Sequence, residues 1–179
     1  MNRIIHQLIE RDNLRLEALD CVQKLNLPQC YLAAGFVRNL VWDHLHNYSV
    51  ATALNDVDVI YFEENESTPN KFKEYELTLN EFMPQLNWEV RNQAIMHIRN
   101  GDKPYKSTLD AMSYWPEKET AVAIRKLKSG QLECVAAFGF DSLFNFKITY
   151  NPKRQYEIFQ KRVKSKGWLD KWPKLTASH

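Results

Sequence analysis

The chain has 179 residues, a formal charge of +2, and 44% hydrophobic against 26% charged residues, a composition that fits one compact domain with one active site. Its apolar runs fall far below the roughly 20 residues needed to span a bilayer, and Met1 to Glu10 lacks the apolar core of a secretory signal, so a cytoplasmic location is expected. Cys21, Cys30 and Cys134 form no Cys-x-x-Cys pair and have no His at zinc-ligand spacing, which argues against a disulfide framework or a structural zinc site and for reduced, buried thiols.

Leu14, Ala18, Cys21, Val22 and Leu25 recur at helical spacing behind a capping Asp12, so residues 1–27 are expected to form one or two amphipathic helices ending at Pro28. Cys30 to Ala34 is a short apolar run closed by Gly35. After it Val37, Leu40, Val41 and Leu45 return to helical spacing, giving a strand, a tight turn and a helix. Val57, Val59, Ile60, Tyr61 and Phe62 follow a polar stretch and predict a second strand. An acidic loop then precedes a helix carrying Phe72, Tyr75, Leu79, Phe82 and Met83.

Trp88 and Val90 alternate with Glu89 and Arg91 as in a strand with one buried face, with a helical turn from Ala94 to Arg99 and a short helix around Leu109 to Met112. Thr120 to Leu127 and Gln131 to Ala137, joined by Ser129-Gly130, predict a β-hairpin. Phe138 to Phe146 predicts a helical turn, Lys147 to Tyr150 a last strand, and Gln155 to Lys166 a C-terminal helix. Interleaving without a strict βαβ rhythm gives an α+β class: a mixed sheet (28–150) flanked by helices, with a basic helical region at 151–179.

Residues two apart on a strand share a face, so Asp56 and Asp58 present both carboxylates together while Val57 and Val59 enter the core. Adjacent like charges raise each other's pKa unless a cation lies between them, and Mg²⁺ (or Mn²⁺) is the simplest such partner. Mg²⁺ takes one or two carboxylates and completes its shell with water and substrate phosphates, so a nucleoside triphosphate (NTP) is the expected ligand. Upstream, Gly35 closes a strand at a helix N-terminus, where backbone can approach phosphates, and Arg38 in the first helical turn is placed to reach them. Alone, Asp-x-Asp is more often a solvated strand edge; the turn is what shifts the reading toward a metal.

Ala34-Gly35-Phe36-Val37-Arg38-Asn39 followed by Asp56-Val57-Asp58-Val59 resembles the Gly-Gly-x-Val-Arg-Asp and Asp-x-Asp pair of tRNA CCA-adding and poly(A) polymerase-type nucleotidyltransferases, in the polymerase β superfamily. Gly35 to Asp43, Trp88 to Ala94, Met96-His97, Pro116-Glu117, Thr120 to Val122, Phe138 to Phe144 and Trp172 to Leu175 together resemble a family of small bacterial nucleotidyltransferase-like proteins over nearly the whole length beyond the first helix. The resemblance implies a nucleotidyltransferase fold with Asp56 and Asp58 as metal ligands, Gly35, Arg38 and Asn39 at phosphates, and Glu89 as a third carboxylate facing the pair. Asp141 is the alternative third acid. The sequence departs from the motif at Ala34 in place of the first glycine, at the bulky Phe36, and at Asn39 in place of an acid.

Asn92 and His97 are candidates for the substrate side, His97 as an acid or base near neutral pH, although a satisfied structural role is commoner for a lone His. Tyr105, Lys106, Ser107 and Thr108 are candidates for the acceptor side. Lys147 to His179 carries nine Lys or Arg against two acids, with Trp168 and Trp172. That stretch is compatible with an RNA partner but does not predict one, because aromatics so placed more often staple a terminal helix to the core while Lys161, Arg162, Lys164 and Lys166 stay solvated. The expected function is Mg²⁺-dependent transfer of a nucleotidyl group from an NTP to an acceptor hydroxyl. The alternatives are an inactive nucleotide-binding or regulatory module on the same fold, and a protein-interaction domain without nucleotide.

Overall fold

A computed structural model describes residues 1–178. Two helices, α1 (Asn2–Glu10) and α2 (Asn13–Lys24), open the chain, the second capped by the Asp12 carboxylate, which accepts from Arg15 N at 3.0 Å. Then come β1 (Tyr31–Ala33), α3 (Gly35–Leu45), β2 (Val57–Tyr61), α4 (Phe72–Phe82), β3 (Trp88–Asn92), α5 (Gln93–Asn100) and α6 (Thr108–Met112). A 3-10 turn at Lys118–Thr120 leads to the hairpin of β4 (Val122–Lys126) and β5 (Leu132–Ala136), followed by α7 (Asp141–Phe144), β6 (Lys147–Thr149), α8 (Tyr156–Lys166), α9 (Trp168–Lys171) and β7 (Thr176–Ser178).

The main sheet runs in the order β3-β2-β1-β4-β5 and is mixed: β2 and β3 are parallel, every other pairing antiparallel. A parallel neighbour needs a crossover, which α4 supplies between β2 and β3. Strand alternation then assigns the two faces. Leu32, Val57, Val59, Val90 and Ile124 join Ile5, Ile9, Leu19, Val37, Val41 and Leu79 from the helices in the larger core. Tyr31, Ala33, Ile60 and Ala123 face the other way, with Met112 of α6 over them. The sequence predicts this α+β mixed sheet, and the structure has it.

One feature of the C-terminal part differs from expectation. β6 forms where predicted but leaves the main sheet and pairs in parallel with β7, a strand the sequence pattern did not indicate. A three-residue strand carries too little alternation to name its partner or even to be seen. The basic helical region is stapled to the larger core by its aromatics, as the sequence favours: Phe159, Trp168, Trp172 and Leu175 are all buried in it. Trp42 of α3 meets Trp172 edge-on at 5.1 Å and Trp168 at 6.1 Å between ring centroids.

Trp172 Nε1 also donates to Asp43 Oδ1 at 2.8 Å, and the same carboxylate accepts from Thr52 N at 2.7 Å and Thr52 Oγ1 at 2.6 Å. Asp43 is buried, so each of these donors is needed to keep its charge solvated. Truncating Trp172→Ala is expected to cost about 4 kcal/mol in urea unfolding, a large part of a small domain's stability. Trp172→Phe keeps an aromatic but removes one donor to Asp43, and is expected to cost about 2 kcal/mol in the same measurement.

Candidate active site

β1 ends at Ala34, whose φ of 54° and ψ of −120° lie where a side chain is strained. The conformation is held by its bonds: Ala34 N donates to Val122 O at 2.9 Å, and its carbonyl accepts from Val37 N at 3.2 Å and Arg38 N at 2.9 Å, opening α3. This is the position of the motif's first glycine, and the backbone explains why glycine suits it. A Cβ placed at Gly35 would lie 3.4 Å from Asn39 Nδ2 and 3.5 Å from an Arg38 guanidinium nitrogen, so the bare glycine keeps the backbone beside that pair open.

Asp58 on β2 stands in register with Ala33 on β1 and Glu89 on β3, so Asp58 and Glu89 share one face of the sheet, and Asp56 lies immediately before β2. Burial pushes the Asp58 carboxyl up to about 6, the Asp56 and Glu89 charges push the same way, and Arg38 and Lys166 oppose them. Asp56 Oδ2 lies 3.9 Å from Lys166 Nζ, and Glu89 Oε2 lies 3.7 Å from an Arg91 guanidinium nitrogen. Among the described residues no group of three or more His, Cys, Asp or Glu side chains is arranged to hold a metal ion. The donor set that remains, two carboxylates two residues apart, fits a hard cation that takes its other ligands from water and phosphate oxygens.

Arg38 lies in the core. It is buried, donates to Thr120 Oγ1 at 2.8 Å and to Asn39 Oδ1 at 2.9 Å, and lies over the rings of Trp42 at 5.0 Å and Trp168 at 4.6 Å. Desolvation lowers its pKa to about 10, with the charges of Glu117 and Asp58 opposing, so it remains a cation at neutral pH. Its first-turn position suggested reach toward a ligand, but its length lets it fold back under α3 instead. Asn39 is buried beside it as its acceptor.

Asn92 and His97 stand apart from the carboxylates. Asn92 pairs with Tyr61 at the far end of β3; its carboxamide caps α5 by accepting from Ala94 N at 3.0 Å and ties down the loop by accepting from Glu63 N at 3.1 Å and donating to Glu63 O at 2.8 Å. His97 Nδ1 is 2.8 Å from Ala94 O, and its ring meets Tyr105 edge-on. Tyr105 itself is buried, bonded to Asp102 and Asn100, and Thr108 is buried against Gln29. Asp141 is exposed at the start of α7.

Two site residues were missed. Lys166 approaches Asp56, and Arg162 Nε donates to the fully buried Glu117 at 2.6 Å, so these two cations of α8 face the site rather than solvent alone. Their i, i+4 spacing, in step with the apolar pair Phe159 and Val163, was the readable signal.

A family model described as nucleotidyltransferase matches residues 20–177, a span that includes the Ala34 turn, all three carboxylates and α8. The chain belongs to the nucleotidyltransferase family. Consistent with that membership, it is similar over 98% of its length, at 30% identity and a TM-score of 0.86, to an NMR structure reported to reveal a CCA-adding enzyme head domain, 94% of which it covers. A CCA-adding enzyme in complex with CTP (13% identity, TM-score 0.62) and the Thermotoga maritima CCA-adding enzyme complexed with tRNA (14%, 0.63) share the fold over 99% and 98% of this chain. The chain spans only 43% and 42% of those two enzymes. No curated protein sequence matches it, and among its described residues no helix is long and apolar enough to cross a membrane.

The Asp58 shift fixes the sign of a pH effect in this nucleotidyltransferase-family fold. With a folded pKa near 6 against an ordinary 3.8, the native state binds the extra proton between those values, so stability is lost as pH rises through the window. Without divalent cations, Asp58→Asn is expected to unfold about 2 to 3 kcal/mol later than wild type at pH 8, with the gain shrinking toward zero near pH 4, as read by urea titration in EDTA at the two pH values.

Proposed function

We propose that this protein transfers a nucleotidyl group from an NTP to an acceptor hydroxyl, with a divalent cation, Mg²⁺ or Mn²⁺, held by Asp56 and Asp58. The observation that carries the reading is the crowding of Asp58 by Asp56 and Glu89 on a half-buried strand face, a charge arrangement that a cation stabilises and an empty structural site does not. Family membership and the head-domain likeness support the same chemistry. When bound, Mg²⁺ supplies charge neutralisation for the triphosphate.

The chain's own residues do the rest. Gly35 keeps the start of α3 open to phosphate oxygens, while Arg38, with Asn39 as its acceptor, holds positive charge beneath the carboxylates without leaving the core. Glu89 is 43% exposed, accessible enough to take the proton of the attacking hydroxyl. The hydroxyl oxygen bonds to the α-phosphorus, the bond from that phosphorus to the β-bridging oxygen breaks, and pyrophosphate leaves with the electron pair. CTP, bound to one of the CCA-adding enzymes that share the fold, and tRNA, bound to the other, make a cytidine nucleotide and an RNA 3′ hydroxyl the first substrates to try.

Pyrophosphate release is the test. Wild type with each NTP, Mg²⁺ and an RNA acceptor is expected to release pyrophosphate in a metal-dependent way, and Asp56→Asn with Asp58→Asn to reduce the rate by at least about 10³-fold while the fold survives. Nucleotide binding without turnover would replace the enzyme reading with that of a binding module, and absence of Mg²⁺-dependent nucleotide binding would remove both.

A further inference from the structure

Resting on the nucleotidyl-transfer reading, we infer that Lys166 at the end of α8, rather than Arg38, is the cation that receives the polyphosphate of the nucleotide. Four basic side chains lie around the carboxylates, and the structure distinguishes them by what already holds them. Arg91, 3.7 Å from Glu89, is bonded to Glu76 at 2.6 Å. Arg38 is buried against two indoles and bonded to Thr120 and Asn39. Arg162 is bound through two nitrogens to Glu117, which has 0% exposure and would be left as a lone buried charge if Arg162 moved. Lys166 is 44% exposed, and its 3.9 Å approach to Asp56 is longer than a hydrogen bond.

The backbone that carries Lys166 is fixed even though its ammonium is only loosely held. α8 stops at Gly167 in the left-handed conformation (φ 60°), and the next residue, Trp168, is buried against Trp42 and covers the Arg38 guanidinium. Phe159 anchors the same helix two turns earlier. Lys166 is thus a flexible four-carbon stem on a fixed base, within reach of the place where a cation on Asp56 would sit. With a divalent ion held at Asp56, the Lys166 ammonium would lose the charge it now balances and would need a new anion beside the metal. The polyphosphate that would share the metal supplies it.

This assignment predicts opposite changes for two ligands, which a merely structural lysine would not produce. In calorimetric titrations of the full chain, Lys166→Ala is expected to weaken binding of inorganic tripolyphosphate with Mg²⁺ by about tenfold, and to bind Mg²⁺ alone as well as wild type or better, having lost the competitor for Asp56. Lys166→Arg should recover most of the tripolyphosphate affinity. Lys164→Ala, two residues away on the same helix, should change neither. Equal tripolyphosphate affinity of Lys166→Ala and wild type would overturn the assignment alone. A wild type that binds neither Mg²⁺-tripolyphosphate nor Mg²⁺-nucleotide would overturn it together with the transferase reading.

Discussion

A guanidinium packed against two indoles organises both the fold and the site. Arg38 is contributed by α3, its covers Trp42 and Trp168 by α3 and α9, and its hydrogen-bond partner Thr120 by the turn before β4. A buried cation is costly unless it is partnered, so elements far apart in sequence must converge before Arg38 leaves water. Desolvation is correspondingly the main pressure on it, and among the described residues its Nε finds no hydrogen-bond partner. The nearby negative charges of Glu117, Asp58 and Asp56 offset part of that cost. The chain therefore sets its buried positive charge directly against its crowded acids, and neither group is comfortable without the other.

That opposition explains the division of labour around the carboxylates. A fixed cation in the core stabilises the acids as a background field, which suits folding but cannot follow a ligand. Mobile charge has to come from the rim, and α8 delivers it through Lys166, while Arg162 on the same helix stays bound to the buried Glu117. The helix is bound to the core by the same tryptophans that pack against Arg38, so its rim charges are positioned by the guanidinium they cover.

Much of this was legible in the sequence because it depends on local periodicity. The Val57 and Val59 alternation placed Asp56 and Asp58, and the Trp88 and Val90 alternation placed Glu89 opposite Asp58 once the strands paired. What could not be read depends on long-range partners. Arg38 looked like a ligand-facing residue because a first-turn arginine beside a glycine usually is, and only the arrival of Trp168 from 130 positions later turns it inward. Asn92 looked available because the strand pattern says nothing of the Glu63 loop that it fastens. Ala34 is the reverse case, a departure from the motif that the backbone accommodates under strain.

The chain has five tryptophans, and three of them, Trp42, Trp168 and Trp172, form an edge-on group. Indoles at such spacing couple electronically, and a cation above two of them perturbs their emission. The molecule thus has a built-in optical reporter at the junction of α3 with the C-terminal helices. Any event that lifts α9 or withdraws charge from Arg38 should register in near-ultraviolet dichroism and in fluorescence, with no label attached.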